Sequence, residues 1–214
     1  MKQLLALTAI TVFAYGTANA TLTVNVNDGS DTTINDNGAG DLLAGTTGAI
    51  LNSANYNNFD LTVTFAKGTA VNPYPSLFDL SLDATSTGAG TITVSMTETG
   101  LMNFNDFNMV NTGVNHAGLT LDFELWVDDA NSAFGLGELI ASTSGTGAFV
   151  LTDSGAATTL TGGAFSATLI ATITATGADQ VASTDSAVHV PEPVTLSLLA
   201  LGLIGVGAAR RRQV

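Results

Sequence analysis

Along most of the chain, apolar and polar residues alternate one for one. Leu22, Val24 and Val26 interleave with Thr21, Thr23 and Asn25, and Phe59, Leu61, Val63 and Phe65 interleave with Asp60, Thr62 and Thr64. Phe78, Leu80 and Leu82 alternate with Asp79, Ser81 and Asp83, and Ile92, Val94 and Met96 with Thr91, Thr93, Ser95 and Thr97. The longest run sets Leu119, Leu121, Phe123, Leu125 and Val127 against Thr120, Asp122, Glu124, Trp126 and Asp128. Shorter runs cover Leu139–Ile140, Phe149–Leu151 and Phe165–Thr176, the last with Ser166, Thr168, Thr172 and Thr174 on one face. A period of two turns one face of a strand to a core and the other to water, as antiparallel sheets allow.

Turn formers punctuate these runs: Asn27-Asp28-Gly29, Asn37-Gly38, Lys67-Gly68, Thr87-Gly88, Thr112-Gly113, Ser144-Gly145 and Thr161-Gly162-Gly163. Eight or so short strands so divided predict an all-β domain, an antiparallel two-sheet sandwich or jelly roll. Asn35–Gly48 is Gly-rich and reads as a loop beside the first strand. Thr176–Val190 is polar and unpatterned, which predicts a domain over residues 21–176 and a linker over 177–189. No long repeat of the kind that marks a solenoid is present.

The two ends break the pattern. Met1–Ala20 has one cation, Lys2, an apolar run from Leu4 to Tyr15, and then Ala18-Asn19-Ala20. That is the form of a secretory signal peptide, an apolar helix with Ala18 and Ala20 as the small-x-small cleavage signal. At the other end come Val190, Pro191, Glu192 and Pro193, then the uncharged stretch Val194–Ala209, then Arg210, Arg211 and Arg212. As a helix, residues 194–209 would reach roughly 24 Å at ~1.5 Å per residue. A hydrocarbon core is about 30 Å thick, so bilayer thinning or snorkelling arginines would cover the mismatch of this transmembrane helix. The arginines form a membrane stop and hold the C-terminus on the cytoplasmic side. Pro191 and Pro193 keep the preceding motif extended.

This order of motif, apolar helix and basic cluster resembles the PEP-CTERM sorting signal. The resemblance is confined to residues 190–214 and leaves the body unassigned. It implies recognition of Pro191, Glu192 and Pro193, and cutting near them, by an exosortase, a membrane transpeptidase-like enzyme of Gram-negative bacteria that make exopolysaccharide. On that reading the motif is a substrate and not a catalytic site; the plainer alternative is a C-terminal membrane anchor. Export, transient anchoring in the inner membrane and release to the cell surface or beyond are what it implies for location.

Composition agrees with export. Residues 21–189 hold 17 of the 18 acidic residues and a single cation, Lys67, for a net charge of −16. Such a body repels nucleic acid and anionic lipid. Cysteine is absent, so the exported domain relies on its core without disulfides. About 170 residues suffice for one such core.

Catalytic signatures are scarce. There is no Gly-x-Ser-x-Gly elbow, His-Glu-x-x-His, P-loop or Gly-x-Gly-x-x-Gly. The two histidines, His116 and His189, lack the partners of a triad or zinc site. The constellation that points to a ligand is Asp122, Glu124 and Trp126, three outward residues of one strand, roughly 7 Å apart in succession. Carboxylates beside an aromatic suit a sugar platform or, at ~5–5.5 Å, a retaining glycosidase. The bland reading is a solvated strand face.

Asn27-Asp28-Gly29-Ser30-Asp31 and Asn35-Asp36-Asn37-Gly38 offer oxygens for calcium, yet neither has EF-hand spacing, and Asx turns account for both. No metal site or cofactor is therefore expected, with calcium as the alternative. The Thr-x-Thr pairs at Thr21/Thr23, Thr62/Thr64, Thr91/Thr93 and Thr172/Thr174 raise an ice-binding surface, but their intervals are unequal and threonine is ordinary on a strand. The sequence thus predicts an exported, non-enzymatic protein of the surface or biofilm matrix, structural or adhesive, in contact with exopolysaccharide. A carbohydrate- or calcium-binding module and a glycan-acting enzyme centred on Asp122 and Glu124 are the alternatives.

Overall fold

The computed structural model describes residues 21–69, 76–102 and 104–190. The signal peptide with Ala18 and Ala20, the motif residues Pro191–Pro193, the helix at 194–209 and Arg210–Arg212 lie outside the described residues. Within them there is no helix. Twelve strands follow in order: β1 (Thr21–Asn27), β2 (Asp31–Asn35), β3 (Ala49–Tyr56), β4 (Phe59–Lys67), β5 (Ser76–Ser86), β6 (Gly90–Leu101), β7 (Asp106–Asn115), β8 (Leu119–Asp128), β9 (Glu138–Gly145), β10 (Ala148–Ala156), β11 (Phe165–Ala175) and β12 (Val181–His189).

They form two six-stranded antiparallel sheets, ordered β2-β1-β6-β11-β8-β9 and β10-β7-β12-β5-β4-β3. The alternation explains the layering. Every odd residue of β8 from Leu119 to Val127 is buried and every even one half-buried, so its apolar half faces the second sheet. Val24 and Val26 of β1, Ile92, Val94 and Met96 of β6, and Leu169, Ala171 and Ile173 of β11 do the same from neighbouring strands. Leu61 and Val63 of β4 and Phe78, Leu80 and Leu82 of β5 meet them from the second sheet. The result is an all-β sandwich with one core.

The predicted linker is corrected. Residues 181–189 are β12, paired with β5 on one side and β7 on the other. Its inward residues Ala182, Thr184, Ser186 and Val188 are small, so the strand carries no strong apolar period. The domain accordingly runs through residue 190, where Val190 still packs in the core.

One inward residue of the first sheet is a carboxylate. Glu98 of β6 is 1% exposed and accepts the Thr69 N–H (2.9 and 3.1 Å) and the Thr69 hydroxyl. It therefore ties the first sheet to the chain just beyond β4. Burial raises its pKa above the ordinary glutamate value, and the Thr69 donors offset part of that rise.

The sheets also meet at one edge. Gly155 of β10 lies so near β9 that a Cβ there would stand 2.4 Å from the Ile140 carbonyl oxygen. The Ser142 N–H donates to Asp153 Oδ2 across this seam (2.8 Å).

Candidate functional site

The outward residues of the first sheet form straight rows across its strands. One row runs Asn35, Thr23, Thr97, Thr168, Trp126 and Leu139 from β2 to β9. The next runs Thr33, Asn25, Ser95, Ile170, Glu124 and Ser142, and a third Asp31, Asn27, Thr93, Thr172, Asp122 and Ser144. Asp122, Glu124 and Trp126 thus share one face, as expected, and all three are half-buried. The Trp126 indole N–H donates to Glu124 Oε2 (2.8 Å). The two carboxylates stand side by side on one strand and do not oppose each other across a cleft, and Glu124 is held by the indole.

A feature that the periodicity does not reveal lies beside them. The β8–β9 connection folds back over the outer face of β11 and β6. The Ser166 hydroxyl donates to the Ser132 carbonyl (2.7 Å), the Thr168 hydroxyl to the Gly135 carbonyl (3.4 Å), and the Phe134 N–H to Thr97 Oγ1 (3.4 Å). Thr97 and Thr168 are buried beneath it. Phe134 adopts φ 57°, a left-handed conformation uncommon for a bulky residue. The loop makes a wall of Phe134 and exposed Leu136, and between it and Asn25, Asn27 and Asp31 lies a groove of about 430 Å³ floored by Thr93, Ser95, Thr168 and Ile170. Ile170 separates Ser95 from Glu124, so the trio borders the groove one strand away. Amides both donate and accept, hydroxyls do likewise, and an apolar wall takes C–H faces. That combination suits a neutral, hydroxyl-rich ligand.

The same register stacks the threonines. Thr91 and Thr174 hydroxyls lie 3.2 Å apart and those of Thr93 and Thr172 3.4 Å apart. The unequal spacing in sequence is therefore no guide to their placement. The Thr62/Thr64 pair sits apart, on β4 in the other sheet. Bonded to each other and flanked by Asp122 and Glu124, the stacked hydroxyls offer a mixed face, not a uniform array.

Outside the second sheet, strands distant in sequence bring Asp79, Asp83 and Asp185 together. Lys67 pairs with Asp79 (3.1 Å), Thr64 donates to Asp83 (3.1 Å), and Ser81 donates to Asp185 (2.5 Å). Partial burial and nearby Asp79 raise the Asp185 pKa against the lowering effect of Ser81. Sequence reasoning missed this group because residue 185 fell in the expected linker.

The two calcium candidates are spent on their own turns. Asn27 accepts the Gly29 N–H (3.0 Å) and bonds Asp31 (2.6 Å), and Asp28 accepts from Ser30. Asp36 accepts the Gly48 N–H (2.7 Å), and Asn37 the Gly45 N–H. Among the described residues no three His, Cys, Asp or Glu side chains are placed to hold a metal.

The last described element leads to the chain's tail. β12 ends at His189, whose Nδ1 lies 3.2 Å from Ser76 Oγ, and buried Val190 follows. Residues 189–212 match the family model of the PEP-CTERM protein-sorting motif. The PEP-CTERM signal implies an exported protein, sorted by an exosortase from a membrane-anchored precursor. No family model matches the body, and no curated protein matches the chain.

Among solved structures the body is similar to TmCBM61 in complex with beta-1,4-galactotriose: 8% identity over 63% of this chain and 83% of that one, TM-score 0.34. It is also similar to the CBM22-1 xylan-binding domain from Paenibacillus barcinonensis Xyn10C: 15% identity over 69% and 88%, TM-score 0.33. A third is the enzymatically active domain of tailspike protein 4 from bacteriophage CBA120: 11% identity over 67% of this chain but 19% of that one, TM-score 0.36. Likeness of that order assigns neither ligand nor activity to the body that precedes the PEP-CTERM motif.

Proposed function

We propose that this is a non-enzymatic adhesive or structural protein of the cell surface or exopolysaccharide matrix of a Gram-negative bacterium. Its body grips a neutral polysaccharide along the outer face of the first sheet. The groove beside Phe134 carries this reading. It combines an apolar wall, a left-handed Phe134 held by a hydrogen-bonded loop, a hydroxyl-bearing floor, and the Asn25 and Asn27 amides on the facing side. Catalysis is not part of the proposal, because the groove itself is lined by a single carboxylate, Asp31, while Asp122 and Glu124 lie along one neighbouring strand and Glu124 is occupied by Trp126.

The test is binding of the native exopolysaccharide by the purified chain, followed by affinity electrophoresis. Phe134→Ala and Asn25→Ala should each weaken it about tenfold or more, the equivalent of ~1.4 kcal/mol, with the thermal melt confirming a folded body. Trp126→Ala should weaken it less, since the indole borders the groove without lining it. Retained affinity in both groove variants would refute the site. Hydrolysis of the polymer, abolished by Glu124→Gln, would replace the adhesive reading with an enzymatic one.

A further inference from the structure

The sorting motif begins inside the fold. The matched segment starts at His189, the last residue of β12, which pairs with Ser76 of β5 and Asn108 of β7. The preceding Val188 is fully buried, and Val190, immediately before Pro191, belongs to the core. No spacer therefore separates the last core residue from the Pro-Glu-Pro tripeptide.

The other end of the body lies close by. Thr21 of β1 pairs with Thr99 of β6, two residues before β6 ends at Leu101. The chain then crosses to β7, which starts at Asp106, two residues before the partner of His189. Phe104 of that crossing packs edge-on against Phe107 and Phe165 (5.7 and 5.2 Å). Thr21 and Val190 thus both leave the sandwich at the end closed by this crossing.

We propose that this end of the sandwich is a docking surface for the membrane-embedded processing enzyme, which takes the motif with the folded body seated against it. An enzyme that reads an extended segment on both sides of its cut needs about four free residues before it, or ~13 Å of strand at ~3.3 Å per residue. For a cut directly after Val190 those residues would be 187–190, of which 187–189 are held by backbone pairing on both sides and Val188 and Val190 belong to the core. The enzyme either extracts them, breaking the middle of the second sheet, or works on bonds beyond Val190–Pro191 with the Ser76, Asn108 and exposed Asp106 end of the sandwich against it. The second course leaves the core whole, and we assign it.

The experiment follows the full chain in a host that processes it. Intact-mass measurement of the mature protein should place its C-terminus beyond Val190. A variant with a six-residue Gly-Ser spacer between Val190 and Pro191 should lose the benefit of the seated body and be processed several-fold more slowly, with the cut unchanged relative to the motif. Its melting temperature, equal to that of the parent, shows that the body is intact. A mature C-terminus within residues 181–190 would overturn the proposal, as would spacer processing as fast as, or faster than, the parent's. Neither readout depends on polysaccharide binding, so failure here is separate from failure of the groove.

Discussion

The seam between β9 and β10 permits a sharp test of the packing. Gly155 has no left-handed φ among the described residues, so the space around it alone decides what replaces it. The added Cβ of Gly155→Ala would fall 2.4 Å from the Ile140 carbonyl oxygen and 3.2 Å from Ile140 Cγ2. Ordinary contact begins near 3.4 Å, so a main-chain atom of β9 must retreat by about 1 Å. Overpacking that forces a backbone shift costs typically ~1–3 kcal/mol. In a domain of this size each kcal/mol moves the melting temperature by roughly 2–4 °C. Gly155→Ala should therefore melt about 2–12 °C lower, with a parallel fall in the urea midpoint at unchanged slope. Gly177→Ala is the control, because nothing lies within 4 Å of its added Cβ; it should be neutral or slightly stabilising. Equal stability of the two variants would refute the close approach of the sheets at this edge.

Glu98 makes stability depend on pH with a definite sign. Its folded pKa lies above the unfolded one, so the folded state binds the proton more tightly; burial of the charge costs stability above the folded pKa, and that cost is relieved as pH falls towards the ordinary glutamate value. Urea titrations across this range should show the rise in the parent and its loss in Glu98→Gln. Glu138 behaves oppositely: hydroxyls and N–H groups of Thr158 and Thr159 hold its pKa at about 2, so its contribution is present above 4.5 and lost as pH falls towards 2. The Thr158 and Thr159 amide resonances should titrate near that lower value, and should not in Glu138→Gln. Truncation separates strand from linker. A body ending at Val190 should melt cooperatively, whereas one ending at Thr176 lacks the strand joining β7 to β5 and should not.

What the sequence makes legible is the set of strands with large side chains on one face. β8 shows this best, because Leu121, Phe123 and Leu125 fill the core while Asp122, Glu124 and Trp126 face out. β7 reverses the expectation. Its inward residues include Asn111, Gly113 and Asn115, while Val114 is exposed. Gly113 is small because Phe149 occupies its place, at 2.6 Å from an added Cβ, and Asn111 turns inward to donate to Thr143 across the sandwich (2.8 Å). Such choices answer to a neighbouring strand or to the opposite sheet, and a period-two scan along one strand cannot see them.

The same blindness hid the groove and the junction, and for one physical reason. Phe134 lies in an irregular loop, where no period marks it as a wall; only the Thr97, Ser166 and Thr168 hydroxyls beneath reveal why the loop lies flat. β12 is fixed by pairing on two sides and by small residues, so composition gave it the look of a spacer. In both places hydrogen bonds between distant segments do the positioning that side-chain bulk does in β8. A reading built on hydrophobic period therefore recovers the core and misses the two surfaces proposed to meet a polymer and the processing enzyme, because those surfaces are set by polar contacts whose partners are remote in sequence.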